Sequence, residues 1–419
     1  MRAWMIWLAY AAVLVAAPMV WTSSLALTML SQVGIAIVAC LAYNVIFGQG
    51  GMLSFGHAVY SGLGAYLAIH TLNMVGDGRI ALPVSLIPLV GGLAGLFFAA
   101  LLGYVTTRKA GTTFAMITLG VGELVWSMSL MLPEFFGGEA GITTDRVVGE
   151  PVLGISYAPQ IQVYTLIAVY CFVSTVAMYA LTRTPLGRIL NAVRDNPERV
   201  EFLGYRTQMV RYVAFMISGF FMGIAGGLGT MNFEIATAEV VGAARSGAYL
   251  LFTFVGGAGF FFGPIIGAVL MVLALVMLSE LTQAWLLYLG LVFVLMVMYA
   301  PGGIASLVMM NLRMAAHGKL PGLAVPYALL ALAGLVLFAG SGAIIEMVYH
   351  RQLDAALGPA TSFLGAPLDT SAASSWAGAA AVLAVGVVLF ELARRRFAQR
   401  WGQAQTEIEQ LIALRERQA

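Results

Sequence analysis

The chain has 419 residues, of which 61% are hydrophobic and only 10% are charged, with a formal net charge of +2. A mean hydropathy of +0.92 and many apolar stretches of about 17–25 residues exclude a soluble protein and indicate a polytopic membrane protein. The two cysteines, Cys40 and Cys171, fall inside apolar stretches. We expect them to be small apolar fillers, with no disulfide and no metal site.

Apolar stretches predict an all-α fold of about ten core membrane-spanning helices, followed by two extra helices at the C-terminal end. The first stretch, from Ala3 to about Trp21, lacks a convincing cleavage site, so we expect a retained span rather than a removed signal peptide. The predicted helices lie near 4–21, 24–46, 54–72, 81–106, 112–132, 159–182, 208–230, 242–257, 262–279, 283–299, 324–340 and 376–393.

The basic residues predict the orientation of these spans. With an even number of spans and both termini in the cytoplasm, every basic cluster falls on the inner side. Merging 242–257 with 262–279 would place Arg313 and Lys319 outside, so we keep these helices separate. The 133–158 loop, whose charged residues are acidic except for Arg146, and the 341–375 loop are then outside. The basic clusters are Arg2, Arg108 with Lys109, the 183–211 cluster, Arg313 with Lys319, and Arg394–Arg396 with Arg400; the acidic loop residues are Glu134, Glu139, Asp145 and Glu150.

Residues 43–66 contain four glycines between Gly48 and Gly56, among several polar side chains. Glycine costs about 1 kcal/mol relative to alanine inside a helix, and freed backbone groups at membrane depth are tolerated only beside protein or a cavity. We therefore predict a broken or re-entrant segment lining a path, with tight helix–helix turns as the alternative. The predicted breaks are Gly48, Gly50 and Gly51, and the path residues are Asn44, Gln49, Ser54, His57 and Tyr60.

A second glycine-rich interruption occurs in the later half of the chain, at Gly256, Gly257, Gly263 and Pro264. Paired interrupted helices in two halves are typical of an internally repeated transporter.

Single polar residues in the spans leave alternatives open. Glu123 lies near the middle of the 112–132 helix and either lines the path or pairs with a cation on a neighbouring helix. His57 suits a polar path wall or a structural hydrogen bond to a freed carbonyl. Glu234, Glu239 and Arg245 are expected near the outer end of the 208–257 hairpin, where they either contact a soluble partner or are solvated.

Residues 183–204 form an island of charge between two apolar stretches, with Arg183, Arg188, Arg194, Asp195, Arg199 and Glu201 among its members. Pro185 suits a first helical position, and Asn196 with Pro197 predicts a break followed by a second turn capped by Asn196. We expect a short helical hairpin in water, offered to a soluble partner. The alternative is an ordinary solvated loop.

Four stretches in order, 43–66, 184–204, 214–227 and the pair 256–264 with 300–304, resemble the LivM-type permeases of branched-chain amino acid ABC transporters. The resemblance covers about residues 20–310. It implies a bacterial inner-membrane importer in which this subunit pairs with a second, LivH-type permease, two ATPase subunits and a periplasmic solute-binding protein. The island, about 183–207, would supply the coupling helix. Its matching residues are Pro185, Gly187, Arg188, Arg194, Asp195, Asn196, Pro197, Glu198 and Gly204.

We expect that the chain itself is not an enzyme. It has no Gly-x-x-x-x-Gly-Lys-Ser/Thr phosphate loop and no clustered His, Asp, Glu or Ser set at catalytic spacing. ATP and Mg would be bound by the partner subunits, and no cofactor, metal or nucleic acid by this chain.

Two departures from the family pattern stand out. Phe136 precedes the glycine pair of the 133–142 loop where a threonine is expected, which puts any outer-gate role of that threonine in doubt. Residues 311–419 extend past the usual end, with two further spans, an outer loop and an amphipathic cytoplasmic tail. The tail from Glu391 either docks to an ATPase or to anionic lipid headgroups, or simply anchors the chain by the positive-inside rule.

Three functions remain open at this level. The first is a permease subunit of an ATP-driven importer for a branched-chain amino acid or a related amide, urea or carboxylate. The second is a self-sufficient secondary transporter that uses Glu123 or His57 as a proton relay. The third is a polytopic membrane enzyme or assembly factor. Few ionisable groups in the spans and the charged island favour the first.

Overall fold

A computed structural model describes residues 3–149, 155–353 and 358–418, without the side chains of Ala3 and 411–418. Arg2 and Glu150, which belong to the predicted charge pattern, lie outside the described residues. The helices are α1 Ala3–Val20, α2 Ser24–Ile46, α3 Ala58–Gly76, α4 Ile87–Thr106, α5 Gly111–Met131, α6 Pro133–Phe136, α7 Gln160–Arg183, α8 Pro185–Asp195, α9 Pro197–Phe202, α10 Thr207–Phe233, α11 Ala243–Gly256, α12 Gly263–Leu273, α13 Ser279–Leu281, α14 Trp285–Tyr299, α15 Gly303–Ala316, α16 Ala324–Leu353 and α17 Ala373–Gln418.

The all-α membrane fold predicted from the sequence is confirmed. Within the described ranges, eight helical segments are long and apolar enough to cross a membrane, or nine if the pair α14 and α15, bent by 50°, counts as one. Four short strands occur among the described residues, β1 Ile142–Thr143, β2 Ile235–Ala236, β3 Ala360–Phe363 and β4 Ala366–Asp369, and they form two antiparallel pairs, β1 with β2 and β3 with β4.

Each of the twelve predicted segments contains a helix, but several predicted boundaries are wrong. Residues 54–57 are not helical, so α3 begins only at Ala58 and runs to Gly76. Helix α16 continues to Leu353, through the first part of the predicted 341–375 outer loop. Helix α15, Gly303–Ala316, was not predicted. Helix α17 continues without a break to Gln418, which confirms the predicted helical tail.

The chain divides into two compact units, Met1–Leu275 with Met296–Ala305, and Val276–Leu295 with Ser306–Ala419. The predicted domain boundary near residue 310 stays a prediction. The centre of the first unit is α10, which packs most extensively against α4, α3 and α2. Glycines bring α10 and α4 together: a Cβ at Gly223 would meet the Gly95 Cα at 3.0 Å. Small residues allow membrane helices to approach this closely. The resulting van der Waals contact stabilises helix association in lipid, where no hydrophobic force drives helices together.

Two crossings of the first unit are only partly helical. In the first, residues 47–57 form a turn and an extended run before α3 begins at Ala58. In the second, strand β2 and the 3₁₀ turn Ala238–Val241 precede α11, which has 14 residues. A helix of that length spans about 21 Å, short of the ~30 Å hydrocarbon core. The two partly helical crossings meet where the backbone N–H of Ala58 donates to the Ser246 hydroxyl, at 3.0 Å.

One prediction about this region is wrong. Arg245 lies in the first turn of α11, beside Ser246, and so at the level of Ala58 rather than near the outer end of α10. The reason is local: the non-helical residues after α10 carry the chain back inward before α11 begins.

The C-terminal end of α10 is tied to the loop that follows α5. Strand β1 pairs with β2, with Ile142 opposite Ala236. The Arg146 guanidinium donates to the carbonyl oxygens of Tyr157, at 3.0 Å, and Met231, at 3.3 Å, and to the Gln160 side chain. These bonds satisfy several carbonyl groups with a cation and hold the loop over α10.

The second unit contains a helical hairpin formed by α16 and α17. Helices α16 and α17 pack closely, because a Cβ at Gly386 would meet the Leu337 Cα at 2.6 Å. The pair β3–β4 connects them, with Ala360 opposite Asp369. At the far end of α17, the Lys319 ammonium bonds to Glu407 at 2.6 Å. A buried cluster covers the same end, formed by Met314, Leu323, Ala404 and Ile408.

Candidate coupling site and its junction with the broken helices

The charged island folds as two short helices, as the sequence predicts. The Thr184 hydroxyl accepts the backbone N–H of Gly187, and Pro185 occupies the first turn of α8. The Asn196 side chain accepts the backbone N–H of Arg199 at 2.9 Å, and Pro197 begins α9. Each cap satisfies a donor that the start of a helix leaves free. Because the signals act within three residues, the sequence alone was sufficient to predict this hairpin.

The island has a buried and an exposed side. Leu190, Val193 and Val200 are buried, with exposures of 1–3%. Gly187 is also buried, and a Cβ there would clash with the end of α7, at the Leu181 carbonyl. The polar candidate residues are exposed and accessible to a partner, as are the two prolines and the last glycine: Pro185, Arg188, Arg194, Asp195, Asn196, Pro197, Glu198 and Gly204.

An exposed apolar patch on the island was missed by the sequence analysis. Phe202 is 91% exposed and Leu203 71%, at the end of α9, and Tyr205 follows at 48%. The signal was present, since three large apolar side chains lie within four positions of a segment too polar for lipid. Large apolar groups surrounded by charge are characteristic of protein interfaces.

The inner side of α8 lies against the glycine-rich turn after α2. The Asn191 side-chain amide donates to the Gln49 side-chain oxygen at 2.9 Å. The Arg194 guanidinium donates to the carbonyl oxygen of Gly48. Gly51 has a φ of +66°, which favours glycine, and a Cβ there would meet the Arg194 Cγ at 2.7 Å. The two features that the sequence singled out, the island and the glycine cluster, are therefore in direct contact.

The second predicted break reaches the same place. A Cβ at Gly48 would clash with the carbonyl oxygen of Ala258, in the turn between α11 and α12. That turn is itself glycine-built: Gly257 has a φ of +115°, and a Cβ at Gly256 would meet the backbone N of Gly267 at 2.7 Å. Gly263 and Pro264 begin α12. We call the meeting of Gly48–Gly51 with Asn191, Arg194 and Ala258 the Gly48 junction.

The extended run after the Gly48 junction returns along α2 towards the middle of the fold. The Tyr43 hydroxyl donates to the carbonyl oxygen of Ser54 at 2.7 Å and accepts the Ser54 N–H at 3.1 Å. Three residues on, His57 Nε2 lies 2.7 Å from the Ser218 hydroxyl. That hydroxyl donates to the Ala42 carbonyl at 2.6 Å, so it accepts from Nε2–H, and the neutral imidazole with hydrogen on Nε2 is assigned.

The candidate path residues differ in where they lie. Asn44, Ser54, His57 and Tyr60 are 0–1% exposed within this chain, and rings of Tyr43, Tyr60 and Phe215 pack around the imidazole. Gln49 is partly buried at the Gly48 junction, and Glu123 is exposed on α5. Three of these candidate residues each have a buried polar atom with no hydrogen-bond partner in the described part of the chain: Asn44 Oδ1, Ser54 Oγ and His57 Nδ1. Their role in a path stays a prediction.

No group of three or more His, Cys, Asp or Glu side chains that could hold a metal ion occurs in the described part of the chain. Cys40 and Cys171 are both free and buried. The arrangement offers a mechanical connection. The exposed hairpin is bonded to the turn at Gly48–Gly51, where one broken crossing begins. That turn lies beside Ala258, in the turn where the other broken crossing ends.

An all-α membrane fold with two interrupted crossings and an exposed charged hairpin is typical of a membrane transport protein. The match to known families agrees, since residues 25–301 fit the family described as the permease component of branched-chain amino acid transport systems. The chain belongs to this family.

Two relatives are each called "High-affinity branched-chain amino acid transport system permease protein LivM". The protein from Escherichia coli K12 is 29% identical over 305 residues, which cover 67% of this chain and 70% of the relative. The protein from Salmonella typhimurium LT2 is 29% identical over 308 residues, with the same coverage. No solved structure matches the chain significantly.

Proposed function

We propose that this chain is the inner-membrane permease subunit of an ATP-driven ABC importer for branched-chain amino acids. A second, LivH-type permease would form the other half of the path. Two ATPase subunits would bind ATP and Mg, and a periplasmic binding protein would deliver the solute. Both termini of this chain would lie in the cytoplasm. Family membership and the names of the two relatives support this proposal.

The observation that carries the docking role is the exposed side of the island. Phe202 and Leu203 form an apolar centre, and Arg188, Asp195 and Glu198 are exposed polar groups on the same hairpin. An apolar centre with a charged rim is the usual anatomy of a protein interface. The ATPase groove is therefore proposed to receive the end of α9.

The Gly48 junction suggests how movement of the island reaches the path. Closure of the ATPases would displace α8 and α9. The bond of Arg194 to the Gly48 carbonyl and the bond of Asn191 to the Gln49 side chain would carry that displacement to the turn. The turn continues into the extended run that ends at His57 and α3. Ala258 lies against the same turn, so both broken crossings would move together.

The docking role is tested by reconstituting the permease pair, the ATPases and the binding protein in proteoliposomes. Phe202→Ala should lower ATP-driven leucine uptake about tenfold, equivalent to ~1.4 kcal/mol, and weaken co-purification of the ATPases. Solute capture by the binding protein should stay unchanged. Phe97→Ala is the matched control, because it removes a phenyl ring that is 62% exposed on α4, away from the island.

Two results would contradict the proposal. Leucine uptake that persists without the ATPase subunits would identify a secondary carrier. Full uptake and full ATPase co-purification with Phe202→Ala would show that the island does not dock through the end of α9.

A further inference from the structure

Two residues of opposite charge lie at the same depth of the first unit, Glu123 on α5 and Arg245 on α11. Gly122, the neighbour of Glu123, lies close to Gly56, because a Cβ added at Gly56 would be 3.2 Å from the backbone N of Gly122. Next to Arg245, the Ser246 hydroxyl accepts the N–H of Ala58. Gly56 and Ala58 flank His57, so both charged residues are level with His57.

The depth of His57 follows from its partner on α10. Its imidazole bonds to Ser218, which lies near the middle of the helix Thr207–Phe233. That helix has 27 residues and so a length of about 40 Å, enough to cross a bilayer. Glu123 and Arg245 are therefore near the middle of the membrane.

Neither charge has a hydrogen bond or ion pair within the described part of the chain, and no ion pair within 4.0 Å joins the two. Glu123 is exposed and Arg245 is only partly buried. A charge in lipid at this depth is unfavourable by about 2.5–3.5 kcal/mol on insertion scales, so such groups face a water-filled cavity or a charged ligand.

The helices that carry the two charges meet beside them. A Cβ at Gly242, three residues before Arg245, would lie 3.7 Å from Cδ1 of Trp126, one turn after Glu123. The Trp126 side chain is 39% exposed and offers apolar surface about one helical turn from Glu123. The face of α5 that carries Glu123 also leaves open space at Gly120. The surface thus combines an anion, a cation and an apolar plane.

We propose that Glu123 and Arg245 bind the two charged ends of a zwitterionic α-amino acid as it passes along the path. The Arg245 guanidinium would bind the carboxylate through paired N–H donors, and the Glu123 carboxylate would accept from the ammonium group. The aliphatic side chain would lie against Trp126. The inference rests on the proposed function and narrows it, because urea, amides and simple carboxylates lack one or both of the charges.

The test uses the purified permease–ATPase complex without its binding protein and measures binding of tritiated leucine. Unlabelled leucinamide, which lacks the carboxylate, and 4-methylpentanoate, which lacks the ammonium group, serve as competitors. Wild-type complex should prefer leucine to both. Glu123→Gln should abolish the preference over 4-methylpentanoate, and Arg245→Gln the preference over leucinamide, each with about a tenfold loss of leucine affinity. Glu123→Asp should retain part of the wild-type preference.

Matched controls are Glu134→Gln and Arg108→Gln, which remove one exposed charge of each sign near the ends of α5 and α4; both should keep wild-type preferences. Unchanged preferences in the Glu123 and Arg245 variants, or no leucine binding by an active wild-type complex, would overturn the proposal. Variants that lose the second permease while keeping wild-type preferences would also overturn it and would assign the charges to a subunit interface. Absence of ATP-driven uptake by wild type would refute the proposed function alone, since the binding assay requires no ATP.

Discussion

The Gly48 junction and the face that carries Glu123 and Arg245 both combine glycine with polar side chains, but they differ in whether those polar groups have hydrogen-bond partners within the chain. At the junction, Asn191 and Arg194 are bonded to the Gln49 side chain and the Gly48 carbonyl. At mid-depth, Glu123 is exposed and has no such bond within the described residues. Polar groups that are paired inside the chain can transmit a movement. Unpaired charges at membrane depth require water or a charged partner from outside the chain.

The largest effect is expected from Gly48→Ala. The added Cβ would clash with the Ala258 carbonyl oxygen and the Asn44 side chain, and backbone atoms cannot move away without displacing the α11–α12 turn. We expect the free energy of unfolding to fall by about 3 kcal/mol, the upper range for overpacking, and solute uptake to fall strongly. Thermal unfolding in detergent measures the stability change.

Gly120→Ala is the matched control for that substitution, and its free energy of unfolding should differ from that of the wild type by no more than about 0.5 kcal/mol. Gly120 has open space around the Cβ position. Equal destabilisation by the two alanines would contradict the crowding described at the Gly48 junction.

Ser218→Ala should have the next largest effect. The hydroxyl bonds both His57 and the Ala42 carbonyl, and all of these groups are buried. Removing it leaves a buried donor without an acceptor, which is destabilising by about 2 kcal/mol. The same unfolding assay measures this loss, with Ser127→Ala, an exposed serine on α5, as the control. A loss no larger than that of the control would show that the His57 hydrogen bond contributes no stability.

Arg194→Ala should destabilise the protein by a smaller amount, about 1 kcal/mol, because the side chain is 37% exposed and its bond to Gly48 is partly screened by solvent. The functional effect should be larger: ATP hydrolysis should continue while coupled uptake falls. Arg108→Ala removes an exposed arginine outside the island, leaves the Gly48 junction intact and serves as the control. Coupled uptake that survives the loss of both Arg194 and Asn191 would exclude the junction as a transmission route.

Part of the structure was readable from local sequence. The apolar stretches, the helix start at Pro185, the cap at Asn196 and the glycine breaks act over a few residues, so their positions could be predicted. The start of α3 was misplaced because residues 54–57, Ser-Phe-Gly-His, contain no proline and directly precede the apolar run of α3. Their composition is compatible with helix, but the backbone N–H groups of Ser54 and Phe55 donate to the side chains of Tyr43 and Thr118 instead.

The burial of His57 and the exposure of Glu123 could not be predicted from hydropathy. In a membrane, the lipid and the protein interior are both apolar, so periodicity does not tell which face of a helix packs against protein. Both Glu123 and His57 were therefore candidate path residues until α5 and α3 were placed beside their neighbours.

The sequence by itself determined that this is a polytopic helical permease with a charged hairpin and two interrupted crossings, because spans, caps and breaks depend on nearby residues. Only the tertiary structure decided that both predicted glycine-rich breaks meet at Gly48, that Arg194 reaches across 146 positions to the turn, and that Glu123 and Arg245 share one depth. Those relations depend on how distant helices pack, which no local pattern specifies.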